Sequence, residues 1–169
     1  LVLRRQRQMC IRDSLNYYLS LMVVDLLLQD IKYADLTNIK IKEAKGRFEI
    51  VNDSPVKIID GAHNYEGVEI LLRNYENIYG HLNTDIYLGF KKGKDINNIL
   101  NLIIGKTNYN LHLIEDDTFF DQEITKEIGY LLDKHGKNYK IASLEQFKKN
   151  KNPSILLGSL YLIGEYKKR

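Results

Sequence analysis

From Phe48 onward the apolar and polar positions fall into short blocks of two alternating kinds. Phe48-Glu49-Ile50-Val51 alternates with the period of a strand. Asn52-Asp53-Ser54-Pro55 then supplies turn residues leading into a second strand, Val56–Asp60, so the pair predicts a hairpin. Apolar residues next recur at helical spacing over about 65–79, and Gly80 ends that helix. The same two periods repeat down the chain. They predict a strand at 85–89, a helix from Asp95 to about Gly105, a strand at Tyr109–Ile114 and a helix over about 121–135. A strand at Tyr139–Ala142, a short helix capped by Ser143 and running through Lys149, and a strand at Ser154–Leu157 follow, before a last helix opened by Gly158-Ser159. Strands alternating with helices of this length predict an α/β, Rossmann-like fold. Its sheet should be mostly parallel, of about six strands, with helices on both faces and right-handed crossovers.

The chain before Phe48 follows other rules. Asn16–Gln29 carries apolar residues at helical spacing with few gaps, predicting a mostly buried helix that needs a partner. Residues 30–46 form a polar, Lys-rich connection ending in Lys45-Gly46, which reads as a boundary. Residues 1–14 have neither the apolar core nor the cleavage site of a secretory signal, and their basic residues share no helical face. The string QRQMCIRDS resembles translated sequencing adapter, so the segment is expected to be non-native. Three divisions result: 1–14, a helix with its linker at 15–45, and the α/β domain at 46–169.

Charge sharpens the division. Arg4, Arg5, Arg7 and Arg12 against Asp13 account for the whole net charge of +3, leaving residues 15–169 neutral. A neutral body offers no basic footprint for nucleic acid. The single cysteine, Cys10, lies in the same segment, so the body has neither a disulfide framework nor a thiolate metal site. With 44% hydrophobic and 28% charged residues the composition is that of a soluble globular protein. No apolar run approaches the roughly 20 residues of a membrane span.

In a parallel sheet the carboxyl ends of the strands share one edge, where ligands collect. Three turns should meet there: Asp60–Asn64, Gly89–Lys94 and Gly158-Ser159. Glycine permits close backbone approach, lysine offers a compact cation, and serine at a helix start adds a hydroxyl to N–H groups that favour anions. Each turn also has a plain structural reading. Gly89-Phe90-Lys91-Lys92-Gly93-Lys94-Asp95 misses the P-loop pattern in its spacing and in its final residue. Ser159 could be only an N-cap, and His63 only a structural histidine. His81, His112 and His135 have no metal-ligand spacing.

Four strings together carry a resemblance. Gly46-Arg47-Phe48-Glu49, Asp60-Gly61-Ala62-His63-Asn64, the Gly89–Asp95 loop and Gly158-Ser159-Leu160-Tyr161-Leu162-Ile163-Gly164-Glu165 stand in family order and spacing. Over about residues 15–168 the chain resembles the carboxy-terminal domain of the folylpolyglutamate synthase/dihydrofolate synthase family, within the Mur ligase superfamily. The resemblance implies a cytoplasmic ligase that uses ATP and magnesium to activate a folate or dihydropteroate carboxylate as an acyl phosphate, which the amine of L-glutamate attacks. It implies further that Arg47 reaches the ATP phosphates and that Asp60 lies near the ribose. His63 would stand near the phosphates and the incoming glutamate, Ser159 on the glutamate side and Asn16 on the adenine side.

The departures are as informative. Nowhere in the 169 residues is there a glycine-rich P-loop with its Lys and Ser/Thr, and the family's central-domain magnesium ligands and modified lysine are also missing. Phosphoryl transfer needs those parts. The chain is therefore expected to carry one wall of an active site, to be inactive alone, and to depend on an amino-terminal P-loop domain of the same polypeptide. The alternative is a stand-alone, non-catalytic module that binds a nucleotide or another ligand.

Overall fold

The computed structural model describes residues 45–115 and 122–168, together with Leu19, Ser20, Met22, Val23 and Leu26. The chain divides between Ala44 and Lys45 into two units. In the first, those five residues are helical and the four apolar ones are exposed. Asn16, segment 1–14, the connection 30–44 and the rest of the predicted 16–29 helix lie outside the described residues.

The second unit is built on one six-stranded sheet. Its strands are β1 (Glu49–Asp53), β2 (Val56–Asp60), β3 (Thr84–Leu88), β4 (Tyr109–Ile114), β5 (Tyr139–Ala142) and β6 (Ser154–Leu157). They lie side by side in the order β1-β2-β6-β3-β4-β5. β1 runs antiparallel to β2, and every other pair is parallel. The helices are α1 (Tyr65–Tyr79), α2 (Ile96–Ile104), α3 (Gln122–Lys134), α4 (Leu144–Lys149) and α5 (Leu160–Lys168). The mostly parallel α/β sheet predicted from periodicity is the one observed.

Local chemistry accounts for the elements. β2 and β6 are buried along their whole length, as central strands covered on both faces must be; β6 is apolar after Ser154, while β2 also buries Lys57 and Asp60. α1 starts where the Asn64 side chain accepts the Gly67 N–H at 3.1 Å, and it buries Val68, Leu71, Leu72 and Tyr75, one helical stripe. Asp95 caps α2 in the same way. One expected boundary moved. Phe48, predicted to open the first strand, sits instead at φ 44°, and β1 begins one residue later.

The sheet's two faces carry different helices. Leu144 and Phe147 of α4 and Leu162 and Ile163 of α5 pack with Ile59, Tyr87 and Leu156 in one cluster. On the opposite face, Tyr75 of α1 bonds Thr84 of β3 at 2.8 Å, α1 packs on α2, and α2 on α3. β2 therefore hands the chain to a helix on one face, while its neighbour β6 hands it to a helix on the other. A crevice opens at such a switch point, outside the carboxyl ends of the strands. Among the described residues no helix is long and apolar enough to cross a membrane.

Candidate functional site

β2, β6 and β3 are consecutive in the sheet, so the three turns expected to converge do so. Gly89 N–H donates to Leu157 O at 3.1 Å, joining the turn after β3 to the end of β6. Gly158, at φ 123°, lies so near that a Cβ there would run into the Gly89 carbonyl. A Cβ on Gly61 would likewise overlap the Leu160 side chain. Lys91 completes the join from its own loop, its ammonium 3.4 Å from the centre of the Tyr161 ring. Cation–π contact of this kind ties the β3 turn to the first turn of α5.

Asp60, at the end of β2, is buried and turned inward. Its Oδ2 accepts the Phe48 N–H at 2.7 Å and its Oδ1 accepts the Ala62 N–H at 2.7 Å. Gly61 N–H donates to Gly46 O at 2.8 Å, a further tie between the same two segments. His63 follows, half-buried, with Nδ1 2.8 Å from Gly61 O. A carbonyl accepts only, so Nδ1 carries the proton; Nε2 is then an acceptor in the neutral ring and a second donor in the protonated one.

Arg47 is half-buried on the preceding turn, and among the described residues its guanidinium has no hydrogen-bond or ion-pair partner. A planar, permanently charged fork of this kind suits a phosphate or carboxylate. Ser159 is buried, and its Oγ accepts the Tyr161 N–H at 3.2 Å while its carbonyl accepts the Ile163 N–H. It thus caps α5, the plain reading considered for it, and its hydroxyl stands at a helix start where anions are favoured. Below Arg47, Glu49 accepts from Lys167 Nζ at 2.6 Å and from Gly46 N–H at 2.6 Å. Burial would raise its pKa, but these two bonds outweigh it and hold the carboxyl below the ordinary range.

Arg47, Asp60, His63 and Ser159 thus belong to adjoining turns, with the Lys91 loop beside them. Among the described residues there is no group of three His, Cys, Asp or Glu placed to hold a metal. The donor set fits the anionic parts of a nucleotide or an amino acid.

A second polar cluster at the opposite edge escaped the sequence reading. Asp85, 5% exposed, accepts from Asn110 at 2.8 Å, Asn150 at 2.8 Å and Asn152 at 3.1 Å, with His112 Nε2 3.6 Å away. Burial works to raise its pKa, yet the three amides and His112 win and lower it. The cluster borders a groove of about 480 Å³. Its Asp85 oxygens are spent on one another's elements, binding β3 to β4 and to the turn before β6. Only the strand register brings these asparagines to one carboxylate, so no local motif announces them.

No protein-family model matches the chain. It is 26% identical over 130 residues to the dihydrofolate synthase/folylpolyglutamate synthase of Bacillus subtilis, covering 73% of this chain and 30% of that relative. The chain thus spans about a third of the relative's length. Among solved structures, the folylpolyglutamate synthetase of Helicobacter pylori superposes with a TM-score of 0.68 at 20% identity, over 96% of this chain and 42% of that one. The bifunctional folylpolyglutamate synthase/dihydrofolate synthase of Yersinia pestis, complexed with AMPPNP and manganese, gives a TM-score of 0.53 at 14% identity, over 80% and 36%. The relatives in sequence and in fold are those to which the four motifs pointed, and the α/β fold matches that enzyme's carboxy-terminal domain.

Proposed function

We propose that the chain is the carboxy-terminal part of an ATP-dependent amide ligase that adds L-glutamate to the carboxylate of a folate or of dihydropteroate. The supporting observation is that Arg47, whose guanidinium has no partner among the described residues, belongs to a turn that adjoins those of His63 and Ser159 at the carboxyl edge of β2 and β6, where the helices part to opposite faces. The nucleotide supplies a phosphoryl group that turns the acceptor carboxylate into an acyl phosphate. Attack by the glutamate amine then yields the amide and phosphate, with ADP already formed.

In this reading Arg47 neutralises the nucleotide phosphates. His63, its ring oriented by the bond to Gly61 O, offers Nε2 to the phosphate or to the incoming amino acid. Ser159 and the first N–H groups of α5 receive the glutamate carboxylate. Asn16 belongs to the nucleotide's side, and Asp60 serves that side through the turns it joins. Magnesium and the P-loop come from an amino-terminal domain that these residues do not include, and the site is then cytoplasmic like the ligase it serves.

The test uses the purified chain, with ATP, magnesium, labelled glutamate and either dihydropteroate or tetrahydrofolate. Alone it should form no product. Joined to the P-loop portion of the Bacillus subtilis relative it should add glutamate, and Arg47→Ala or His63→Ala should lower that rate at least tenfold. Turnover by the chain alone, or a folded and nucleotide-binding fusion indifferent to both substitutions, would overturn the reading.

A further inference from the structure

We propose that Asp60 is a positioning residue, whose buried carboxylate latches the turn bearing Arg47 to the turn bearing His63 and so sets the placement of both. What Arg47 and His63 do rests on the reading above; the latch itself does not.

The two oxygens of Asp60 are divided between the two segments. Oδ2 holds Phe48, the residue after Arg47, and Oδ1 holds Ala62, the residue before His63. Both bonds are 2.7 Å, the length of charge-assisted contacts to a carboxylate, and the residue is only 8% exposed. Each oxygen thus ties one of the two segments.

Each bond controls a conformation. Phe48 sits at φ 44°, a left-handed backbone that is strained for a residue other than glycine and persists only where its surroundings impose it. Two things impose it here: burial of the Phe48 ring and the bond from its N–H to Asp60. That conformation decides how Arg47 leaves the hairpin. On the other segment the bond from Ala62 to Asp60 closes a side-chain turn of the type aspartate favours. His63 follows it, and its ring then bonds the Gly61 carbonyl inside that turn. The Gly61–Gly46 bond alone would leave both flanking residues free to rotate about it.

The geometry requires a carboxylate. The Phe48 and Ala62 groups are both N–H donors, so bridging them requires a side chain that accepts twice. An asparagine of the same shape can accept with one atom, and its NH₂ would confront the other donor. Asp60→Asn should therefore release one turn while leaving the volume of the site unchanged.

Two measurements test the latch. In the wild-type chain, trans-hydrogen-bond scalar couplings should link the Asp60 carboxylate carbon to the amide nitrogens of both Phe48 and Ala62. Coupling to neither overturns the proposal. In the active fusion, Asp60→Asn should raise KM for ATP and KM for glutamate together, each about tenfold, the equivalent of one charge-assisted bond. It should also be non-additive with Arg47→Ala for ATP and with His63→Ala for glutamate. A rise confined to ATP identifies Asp60 as a nucleotide contact and overturns the latch. An inactive fusion counts against the ligase reading, whereas the couplings are read on the chain itself.

Discussion

Gly158 and Gly93 both have positive φ, 123° and 83°, yet they answer to different constraints. Nothing lies within 4 Å of a Cβ built on Gly93, whereas one on Gly158 meets the Gly89 backbone. Gly93→Ala should thus cost only backbone strain, about 1 kcal/mol. Gly158→Ala adds an overlap with backbone that cannot step aside, and should cost roughly 2–4 kcal/mol, seen as a fall in Tm of about 10 °C. Equal losses from the two changes would mean that the β3 and β6 turns do not touch. The sequence marked both glycines as turn residues; which one sits under a neighbouring strand's turn depends on β6 lying beside β3, and no local pattern records that.

Among the elements, α4 is the one most dependent on its ends. It has six residues, too few to persist by propensity, and is held by burial of Leu144 and Phe147 and by a capping box. Ser143 Oγ accepts the Gln146 N–H at 3.3 Å, and the Gln146 side chain accepts the Ser143 N–H at 2.7 Å. Ser143→Ala should cost about 1 kcal/mol in chemical denaturation. Adding Gln146→Ala should cost less than its own single loss, because the two bonds support one turn. Strict additivity would show the box to be two unrelated contacts. This element was readable almost to the residue, since the cap, the short apolar stripe and the following Pro153 are all local signals. β1 was less so, because the Asp60 bond that holds Phe48 out of the strand comes from twelve residues away.

For the whole molecule, acid sensitivity follows from groups that folding holds away from their ordinary titration. Burial lowers the pKa of His112, against the opposing pull of Asp85. The unfolded chain then takes up that proton first, so stability falls as pH drops below about 6.5. Glu76 behaves as Asp85 does: burial raises it, but Lys106 and Tyr109 outweigh that and lower it. The stability from these carboxylates is complete above the ordinary carboxylate range, near pH 4, and is lost as pH falls through it. Tm should hold level from pH 8 to 7, decline below about 6.5, and decline again, more steeply, below about 4.5. His112→Phe, which keeps a ring against Tyr87, should remove the first decline and leave the second. A Tm that rises from pH 7 to 5.5 would contradict this assignment.

By itself the sequence determined the number, kind and order of the elements, the parallel character of the sheet, and the turns from which Arg47, Asp60, His63 and Ser159 emerge. Periodicity, caps and turn residues act over a few neighbours, and every one of those features is local. The tertiary structure alone decided that β6 inserts between β2 and β3, bringing Gly158 against Gly89 and Lys91 against Tyr161. It decided too that three asparagines gather on Asp85, and that the Asp60 carboxylate faces into the wall between two turns. Such facts depend on which strands are neighbours and in what register, and a chain settles that only when the two faces of its sheet are buried together.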